Sequence, residues 1–326
     1  QVGAENVYDF SIGNPSVPAP DSVKDAVLTI LDTEGPITAH SYTSAQGDAG
    51  VRKVLAEDLN RRFDTNFNAD NFYLTVGAAA ALSACFKALA EEDDEFIVIA
   101  PFFPEYQCFI EKGAGAKCVV VKADTEAFQI DFDGLSKAIT PHTKAVVINS
   151  PNNPSGTVYS EATIKKLASL LTEQSAVIGH PIFLISDEPY RELVYDGMKI
   201  PFVTKYYANT IVCYSYSKSL SLAGERIGYV LVPDELVDSK TAYAAICGAG
   251  RSLGYVNAPS LFQRVAAKCA GQTADLSVYK KNRDLLYDGL IKLGFSCVKP
   301  QGAFYIFPRS LEPDAAAFCE RAKKYD

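Results

Sequence analysis

Short apolar segments alternate with helical patterns along most of the chain. Helical periodicity is clearest in residues 161–172, whose apolar side chains recur every three or four positions, and an alanine-rich helix is predicted at 78–90. Apolar strands that alternate with helices favour an α/β fold with a mostly parallel central sheet covered by helices on both faces. The predicted strands are residues 71–76, 96–100, 117–121, 145–149, 182–186, 211–214 and 227–232.

The pattern changes near the C-terminal end of the sequence. A long helix predicted at about 274–293 precedes two predicted strands, residues 295–299 and 303–308, which flank Pro300-Gln301-Gly302. We therefore expect a large domain of residues 40–272 and a smaller α+β domain made of residues 1–39 and 273–326.

Composition and charge exclude several classes of protein. The 326 residues are 48% hydrophobic and 21% charged, as in globular proteins, and a net charge of −8 disfavours non-specific binding of nucleic acid or acidic membranes. No apolar run approaches the roughly 20 residues of a membrane helix, and the first residues show no basic segment followed by an apolar stretch, so we expect no signal peptide there. The eight cysteines form no CxxC pair and the three histidines are scattered. We expect a cytoplasmic protein without a metal site.

Candidate chemistry follows the predicted strand at 211–214. Ligands of parallel sheets bind beyond the carboxyl ends of the strands, and Lys218 lies there in a locally uncharged segment. Most single lysines are solvated surface charges, but a desolvated lysine has a lowered pKa and can form a Schiff base. Ser215, Ser217 and Arg226 in the same segment could bind a phosphate group through hydroxyl donors and a guanidinium fork.

Two further strand ends carry candidate binding groups. Gly77 joins a strand to a helix, so the free backbone amides of Ala78 and Ala79 could bind an anion, although an ordinary helix start has the same pattern. Asp187 ends another predicted strand, with Tyr190 three residues on. A buried carboxylate there needs a partner such as a protonated ring nitrogen, although an aspartate in a turn is equally compatible.

The last two strand ends supply an amide and an aromatic ring. Asn153, in Asn152-Asn153-Pro154-Ser155-Gly156, could donate to a ligand oxygen, although such segments are usually turns. Phe103 could stack on a ring, although most aromatic clusters belong to a core. Taken together, the five strand ends fit one ligand that has a phosphate, an aldehyde, a phenolic oxygen and a basic ring nitrogen. That ligand is pyridoxal 5′-phosphate.

The chain resembles the class I/II aminotransferases, which are pyridoxal-phosphate enzymes of fold type I. The resemblance extends from about residue 10 to residue 308, and its most specific parts are Ser-x-Ser-Lys-x-x-x-x-x-Gly-x-Arg at 215–226 and Asn-Asn-Pro-x-Gly at 152–156. It implies an enzyme that moves an amino group from an amino acid, possibly aspartate, to a 2-oxo acid by a ping-pong mechanism. It also implies a homodimer.

The resemblance assigns the ring-binding roles to five residues. By motif, Lys218 is the Schiff-base lysine, and Asp187 is the partner of the pyridine nitrogen. Tyr190 and Asn153 are the donors to the phenolic oxygen. Phe103 stands at the position of the stacking aromatic residue, where many family members have Tyr or Trp. Lys218, Asp187 and Tyr190 are therefore the predicted catalytic residues.

The resemblance also implies a phosphate site shared between two subunits. Ala78 and Ala79 would bind the phosphate through backbone N–H groups, and Ser215 and Arg226 would bind it through their side chains. Tyr42 resembles the tyrosine that reaches the phosphate of the neighbouring subunit, so the active site is expected at a dimer interface.

Substrate binding is the least specific part of the resemblance. Gly13 resembles part of the N-terminal segment that lies over the substrate, and Asn153 is a second candidate for substrate binding. Some dicarboxylate-specific relatives have an arginine near the position of Arg251 that reaches the substrate of the partner subunit. The spacing around Arg251 does not match that arginine cleanly and favours a surface arginine. Family members bind the substrate α-carboxylate through an arginine in a C-terminal stretch beyond Tyr305. The printed chain ends at Asp326, before that arginine.

Three alternatives stay open at this point. Enzymes on the same scaffold also act as C–S β-lyases on sulfur amino acids. A non-catalytic pyridoxal-phosphate-binding protein, or an α/β protein without a cofactor, would share parts of the pattern. The sequence does not fix the amino donor, the 2-oxo acid or the pathway.

Overall fold

The computed structural model describes residue 10 and residues 12–325. Its sheet has seven strands in the order β1-β7-β6-β5-β4-β2-β3. β7 pairs antiparallel with both of its neighbours and every other pairing is parallel. The predicted mostly parallel sheet is therefore confirmed. The strands are β1 (Phe72–Thr75), β2 (Glu95–Ala100), β3 (Lys117–Lys122), β4 (Thr143–Asn149), β5 (Phe183–Asp187), β6 (Thr210–Ser215) and β7 (Gly228–Leu231).

Helices connect the strands, and polar side chains define where several of them begin. Asp48 caps α2 by accepting a hydrogen bond from the Val51 amide at 3.0 Å, and Ser160 caps α6 in the same way. α6 continues past the predicted end at residue 172. The helices are α1 (Asp21–His40), α2 (Ala49–Phe63), α3 (Ala78–Leu89), α4 (Glu105–Cys108), α5 (Phe132–Ala138), α6 (Glu161–Ile178), α7 (Tyr216–Ser219), α8 (Ser239–Ser252), α9 (Ser260–Lys268), α10 (Ser277–Lys292) and α11 (Ala315–Ala322).

Alternation along the strands gives the sheet two apolar faces. In β2, Phe96 and Val98 pack into one cluster with α3 and α8, and Ile97 and Ile99 pack into another with α5 and α6. α1, α2 and α9 cover β1, β6 and β7 on the second face. Both faces are therefore covered, as predicted. Within the described residues, no helix is long and apolar enough to cross a bilayer.

The predicted strands at 295–299 and 303–308 are wrong in extent. The described chain has only an isolated antiparallel bridge between Cys297 and Pro308 there, and a second bridge joins Gly302 to Val194. Pro300 and Pro308 lack an N–H group for a ladder, and a lone two-stranded hairpin is marginally stable. The long helix predicted beside them is α10. α1 packs against α9, inside the predicted large domain, and the division into two domains stays a prediction.

Candidate active site

A cavity of about 570 Å³ lies where the carboxyl ends of β4, β5 and β6 meet the N-terminus of α3. Ten of the residues predicted from the sequence line it, as does Ser217, while Tyr42 and Arg251 do not. The predicted residues that line the cavity are Gly13, Ala78, Ala79, Phe103, Asn153, Asp187, Tyr190, Ser215, Lys218 and Arg226. The carboxyl ends of the strands therefore bring together side chains that are far apart in the sequence. This is what the strand-end rule predicts, namely that ligands bind beyond the carboxyl ends of parallel strands.

One part of the cavity is a polar cluster at the start of α3. Gly77 precedes the helix with a φ of 89°, and a Cβ atom there would lie 2.5 Å from Nη2 of Arg226. The glycine thus lets the guanidinium group lie against the free amides of the helix N-terminus. Nη1 of Arg226 donates to Oγ of Ser217 at 3.2 Å, and the hydroxyls of Ser215 and Ser217 are 2.6 Å apart. This cluster has the donors that an anion such as phosphate requires.

Asp187 lines the cavity and has one carboxylate oxygen without a partner among the described residues. The residue ends β5 and is 5% exposed. Its Oδ2 accepts a hydrogen bond of 2.5 Å from the Tyr106 hydroxyl, whereas Oδ1 has no partner among the described residues. Burial raises the pKa of Asp187 to about 7, and the Tyr106 hydrogen bond opposes that rise. A buried carboxylate oxygen without a partner is costly, and a protonated ring nitrogen would satisfy it.

Asparagines hold the ends of β4 and β5 in register beside this carboxylate. Nδ2 of Asn149 donates to the Asp187 carbonyl at 2.8 Å, and its Oδ1 accepts from the Asn153 amide at 2.7 Å. Tyr190 lies three residues beyond Asp187, and its hydroxyl is 2.7 Å from the hydroxyl of Tyr305. Burial keeps the pKa of Tyr190 well above its ordinary value, so the hydroxyl stays protonated and can donate.

Lys218 contributes an amine with a lowered pKa. It lies in α7, directly after β6, and its Nζ donates to the Gly13 carbonyl at 2.5 Å. Nζ also lies 5.3 Å from the centre of the Phe304 ring. Burial lowers the pKa of Lys218 to about 8, and the charge of Arg226 adds to the effect. The amine therefore loses its proton more readily than a solvated lysine does.

Two polar residues of the cavity lining, Tyr305 and Glu105, were not among the sequence predictions. Tyr305 follows the Gly302 bridge and contacts both Tyr190 and the backbone at Gly13, where a Cβ would clash with its hydroxyl. Glu105 begins α4. Tyr305 comes from a segment whose approach to the cavity depends on tertiary packing, so no spacing motif could have identified it. Glu105 lies two residues beyond the predicted Phe103, and its position after β2 is the signal that could have identified it.

Tyr42 and Arg251 lie apart from the cavity of their own chain. Tyr42 follows α1 and is 86% exposed. Arg251 is exposed in the last turn of α8. The described chain alone therefore does not test their predicted roles, since Tyr42 was predicted to act on a neighbouring subunit.

Comparisons with known proteins agree with this architecture. The probable N-acetyl-LL-diaminopimelate aminotransferase of Bacillus subtilis is 33% identical, over 93% of this chain and 74% of its own length. The aspartate aminotransferase of Geobacillus stearothermophilus is 28% identical, over 100% of this chain and 81% of its own.

Solved structures show the same fold. An amino transferase from Eubacterium rectale is 63% identical with a TM-score of 0.97, covering 100% of this chain and 82% of its own. The aspartate aminotransferase of Thermus thermophilus with maleate is 29% identical with a TM-score of 0.81, covering 96% and 80%. A family model described as "Aminotransferase class I and II" matches residues 5–322. The chain belongs to the class I and II aminotransferases.

Proposed function

We propose that this aminotransferase binds pyridoxal 5′-phosphate in the strand-end cavity and transfers an amino group from an amino acid to a 2-oxo acid by a ping-pong mechanism. The observation that carries the proposal is the unpartnered Oδ1 of Asp187, a residue that lines the same cavity as Lys218 and Arg226. A ligand with a basic ring nitrogen, an aldehyde and a phosphate would satisfy all three groups. Pyridoxal 5′-phosphate has these three features on one ring.

The phosphate would be held by the cluster at the start of α3. Arg226, Ser215 and Ser217 supply side-chain donors, and the amides of Ala78 and Ala79 supply backbone donors at the helix N-terminus. A charge-assisted bond from a guanidinium is about twice as strong as a neutral one. We therefore expect this cluster to provide much of the binding energy.

The ring would be oriented by groups from three strand ends. Asp187 would accept from the ring nitrogen, Tyr190 and Asn153 would donate to the phenolic oxygen, and Phe103 would pack against the ring, since all four residues line the cavity. When bound, pyridoxal 5′-phosphate supplies an electron sink for negative charge at the substrate Cα. Lys218 holds the cofactor and moves the proton at the substrate Cα, for which a pKa of about 8 is well suited near neutral pH.

Aspartate is the amino donor that we propose. The names of several relatives support this choice, since they are aspartate aminotransferases at 28–31% identity. Each relative named above is an aminotransferase, so the C–S β-lyase alternative is not carried forward. The 2-oxo acid and the pathway stay open.

We further propose that the enzyme acts as a homodimer in which Tyr42 reaches the phosphate of the neighbouring subunit. The exposure of two side chains supports this proposal: Tyr42 is 86% exposed, and Ile37, five residues before it, is 82% exposed. Apolar side chains exposed together often mark a protein interface. A cytoplasmic location stays a prediction.

The absorbance spectrum of the purified full chain tests the proposal. With pyridoxal 5′-phosphate we expect a visible band that shifts when aspartate is added, and borohydride should fix the cofactor on the peptide that contains Lys218. A protein that stays colourless with excess cofactor contradicts the proposal. Glutamate formed from aspartate and 2-oxoglutarate would identify the transaminase, whereas pyruvate and ammonia formed from cystathionine would identify the lyase.

A further inference from the structure

We infer that Tyr106 is a positioning residue for the ring-nitrogen end of the cavity: its hydroxyl binds one oxygen of Asp187 and so presents the other oxygen to the ring nitrogen of the cofactor. This inference rests on the proposed function, because it assigns a role within the same site. Tyr106 itself does not line the cavity, and it acts only through Asp187.

Tyr106 is held rigidly by its surroundings. It lies in α4, is 2% exposed, and its amide donates to the Phe103 carbonyl at 3.0 Å. Its ring stacks on Phe102, with ring centres 6.3 Å apart and planes 8° from parallel, and meets the edge of Phe103 at 5.6 Å. Packing on two sides fixes the direction of the hydroxyl. The 2.5 Å bond to Oδ2 of Asp187 is therefore built into the fold rather than made by a mobile side chain.

The hydrogen bond makes the two oxygens of Asp187 different. The last torsion of an aspartate side chain is soft and roughly two-fold, so an unrestrained carboxylate can exchange its oxygens. With Oδ2 bound to Tyr106, Oδ1 is the oxygen left without a partner among the described residues, and Asp187 lines the cavity. The carboxylate is thus oriented before a ligand arrives, which reduces the cost of binding.

The same hydrogen bond favours the charged form of Asp187. Burial and the nearby charge of Glu188 raise the pKa of Asp187, and the Tyr106 hydroxyl is the group that opposes them. The pKa of Tyr106 lies well above its ordinary value because of burial, so Tyr106 stays a donor. Without the hydroxyl, Asp187 would more often be a neutral acid, which pairs weakly with a protonated ring nitrogen.

A purely structural role for Tyr106 makes a different prediction. If the hydroxyl only satisfied the core, its removal would weaken the binding of every ligand of the cavity equally. If it orients and ionises Asp187, removal would weaken only ligands that have a ring nitrogen. Selectivity for the ring nitrogen is therefore the deciding quantity.

The experiment compares two ligands on the full chain freed of cofactor. The ligands are pyridoxal 5′-phosphate and its carbocyclic analogue, in which a C–H group replaces the ring nitrogen, and their dissociation constants are measured by calorimetry. We expect Tyr106→Phe to weaken binding of the cofactor about tenfold, the scale of one hydrogen bond to a charged group, and to leave analogue binding within about twofold. Tyr207→Phe is the matched control, because it removes a buried hydroxyl that donates to Ile182, outside the cavity lining.

A second measurement guards against a general effect of the substitution. In an Asp187→Asn background, Tyr106→Phe should change the selectivity no further, because the carboxylate on which it acts is gone. Suppose that the wild type binds the cofactor more tightly than the analogue. If Tyr106→Phe then weakens the binding of both ligands equally, or leaves their ratio of dissociation constants unchanged, the inference is overturned and the proposed function is not. A wild type that binds neither ligand would overturn the proposed function together with the inference.

Discussion

The candidate active site has a floor and an outer set of residues that are built in different ways. The floor residues end or directly flank the adjacent strands β5, β6 and β7. They are Asp187, Ser215, Lys218 and Arg226. The outer set comes from segments before β1 and after β7. It comprises Gly13 and Tyr305, which line the cavity, and Tyr42 and Arg251, which do not line it and would act only from a neighbouring subunit. The pairing of neighbouring strands fixes the floor. The position of each outer residue depends on how a distant segment packs or, for Tyr42 and Arg251, on the proposed second subunit.

The two sets also differ in their electrostatics. In the floor, burial raises the pKa of Asp187 to about 7 and lowers the pKa of Lys218 to about 8, so both charged forms are disfavoured. In the outer set, Tyr42 and Arg251 are exposed. Perturbed titratable groups concentrate at functional sites, so the chemistry belongs to the floor. We expect substitutions in the floor to have large effects and those in the outer set to have small or subunit-dependent ones.

Lys218→Ala should have the largest effect. Removing the amine takes away the group that moves the substrate proton, so kcat for amino transfer should fall by about 10²–10⁴-fold or more. Cofactor binding should persist, because the Arg226 cluster is intact. The measurement is steady-state amino transfer together with cofactor affinity by calorimetry.

The matched control is Lys87→Ala, which removes an exposed lysine in the last turn of α3. It should leave both measurements unchanged. Full transamination by Lys218→Ala would contradict the prediction, because the floor residue expected to matter most would then have no effect on activity.

Asp187→Asn tests whether the buried carboxylate of Asp187 lowers the free energy of unfolding of the cofactor-free chain. The carboxyl pKa rises from 3.8 to about 7 on folding, so between these values the native state holds the proton more tightly than the unfolded state. Stability of the wild type should therefore fall as pH rises from about 4 to about 7, by a contribution on the order of 4 kcal/mol. The variant lacks this contribution.

Urea unfolding of both chains at a series of pH values measures the difference. The two stabilities should be similar near pH 4 and diverge towards pH 7, where Asp187→Asn is the more stable chain. If the free energies of unfolding of the two chains changed with pH in parallel, the pKa of Asp187 would not be raised on folding. The electrostatic difference between the floor and the outer set would then be contradicted for Asp187.

The floor was also the part that the sequence could predict. Lys218 and Asp187 each directly follow or end an apolar strand, so strand periodicity and the strand-end rule suffice to bring them together. The hydrogen bond from Tyr106 to Asp187 was not predicted, because the order of strand ends predicts which segments meet but not which side-chain atoms bond within them. The strand at 303–308 was wrong for the related reason that an apolar pattern does not create a pairing partner.

Tyr42→Ala tests whether part of the outer set acts across a dimer. Loss of a hydrogen bond to the phosphate should weaken cofactor binding about tenfold. Co-expression with Lys218→Ala should then restore activity at limiting cofactor, because a hybrid dimer has one site with an intact Lys218 and an intact Tyr42 from the other chain.

The direction of this rescue identifies the subunit on which Tyr42 acts. If Tyr42 served its own chain, neither site of the hybrid would be complete, and the mixture would be no better than Tyr42→Ala alone. Tyr42→Phe should match Tyr42→Ala, because only the hydroxyl is expected to reach the phosphate.

Arg251→Ala should have the smallest effect. Arg251 is exposed at the end of α8, and it has no ion pair among the described residues. If Arg251 bound the side-chain carboxylate of aspartate, the variant would have a lower kcat/KM for aspartate but not for an aromatic amino acid. Only aspartate has a carboxylate that can form the charge-assisted bond. We expect kcat/KM to fall by less than about twofold for both substrates, as for a surface residue. A loss of about tenfold or more for aspartate alone would place Arg251 in the site of the neighbouring subunit, and the outer set would then determine specificity.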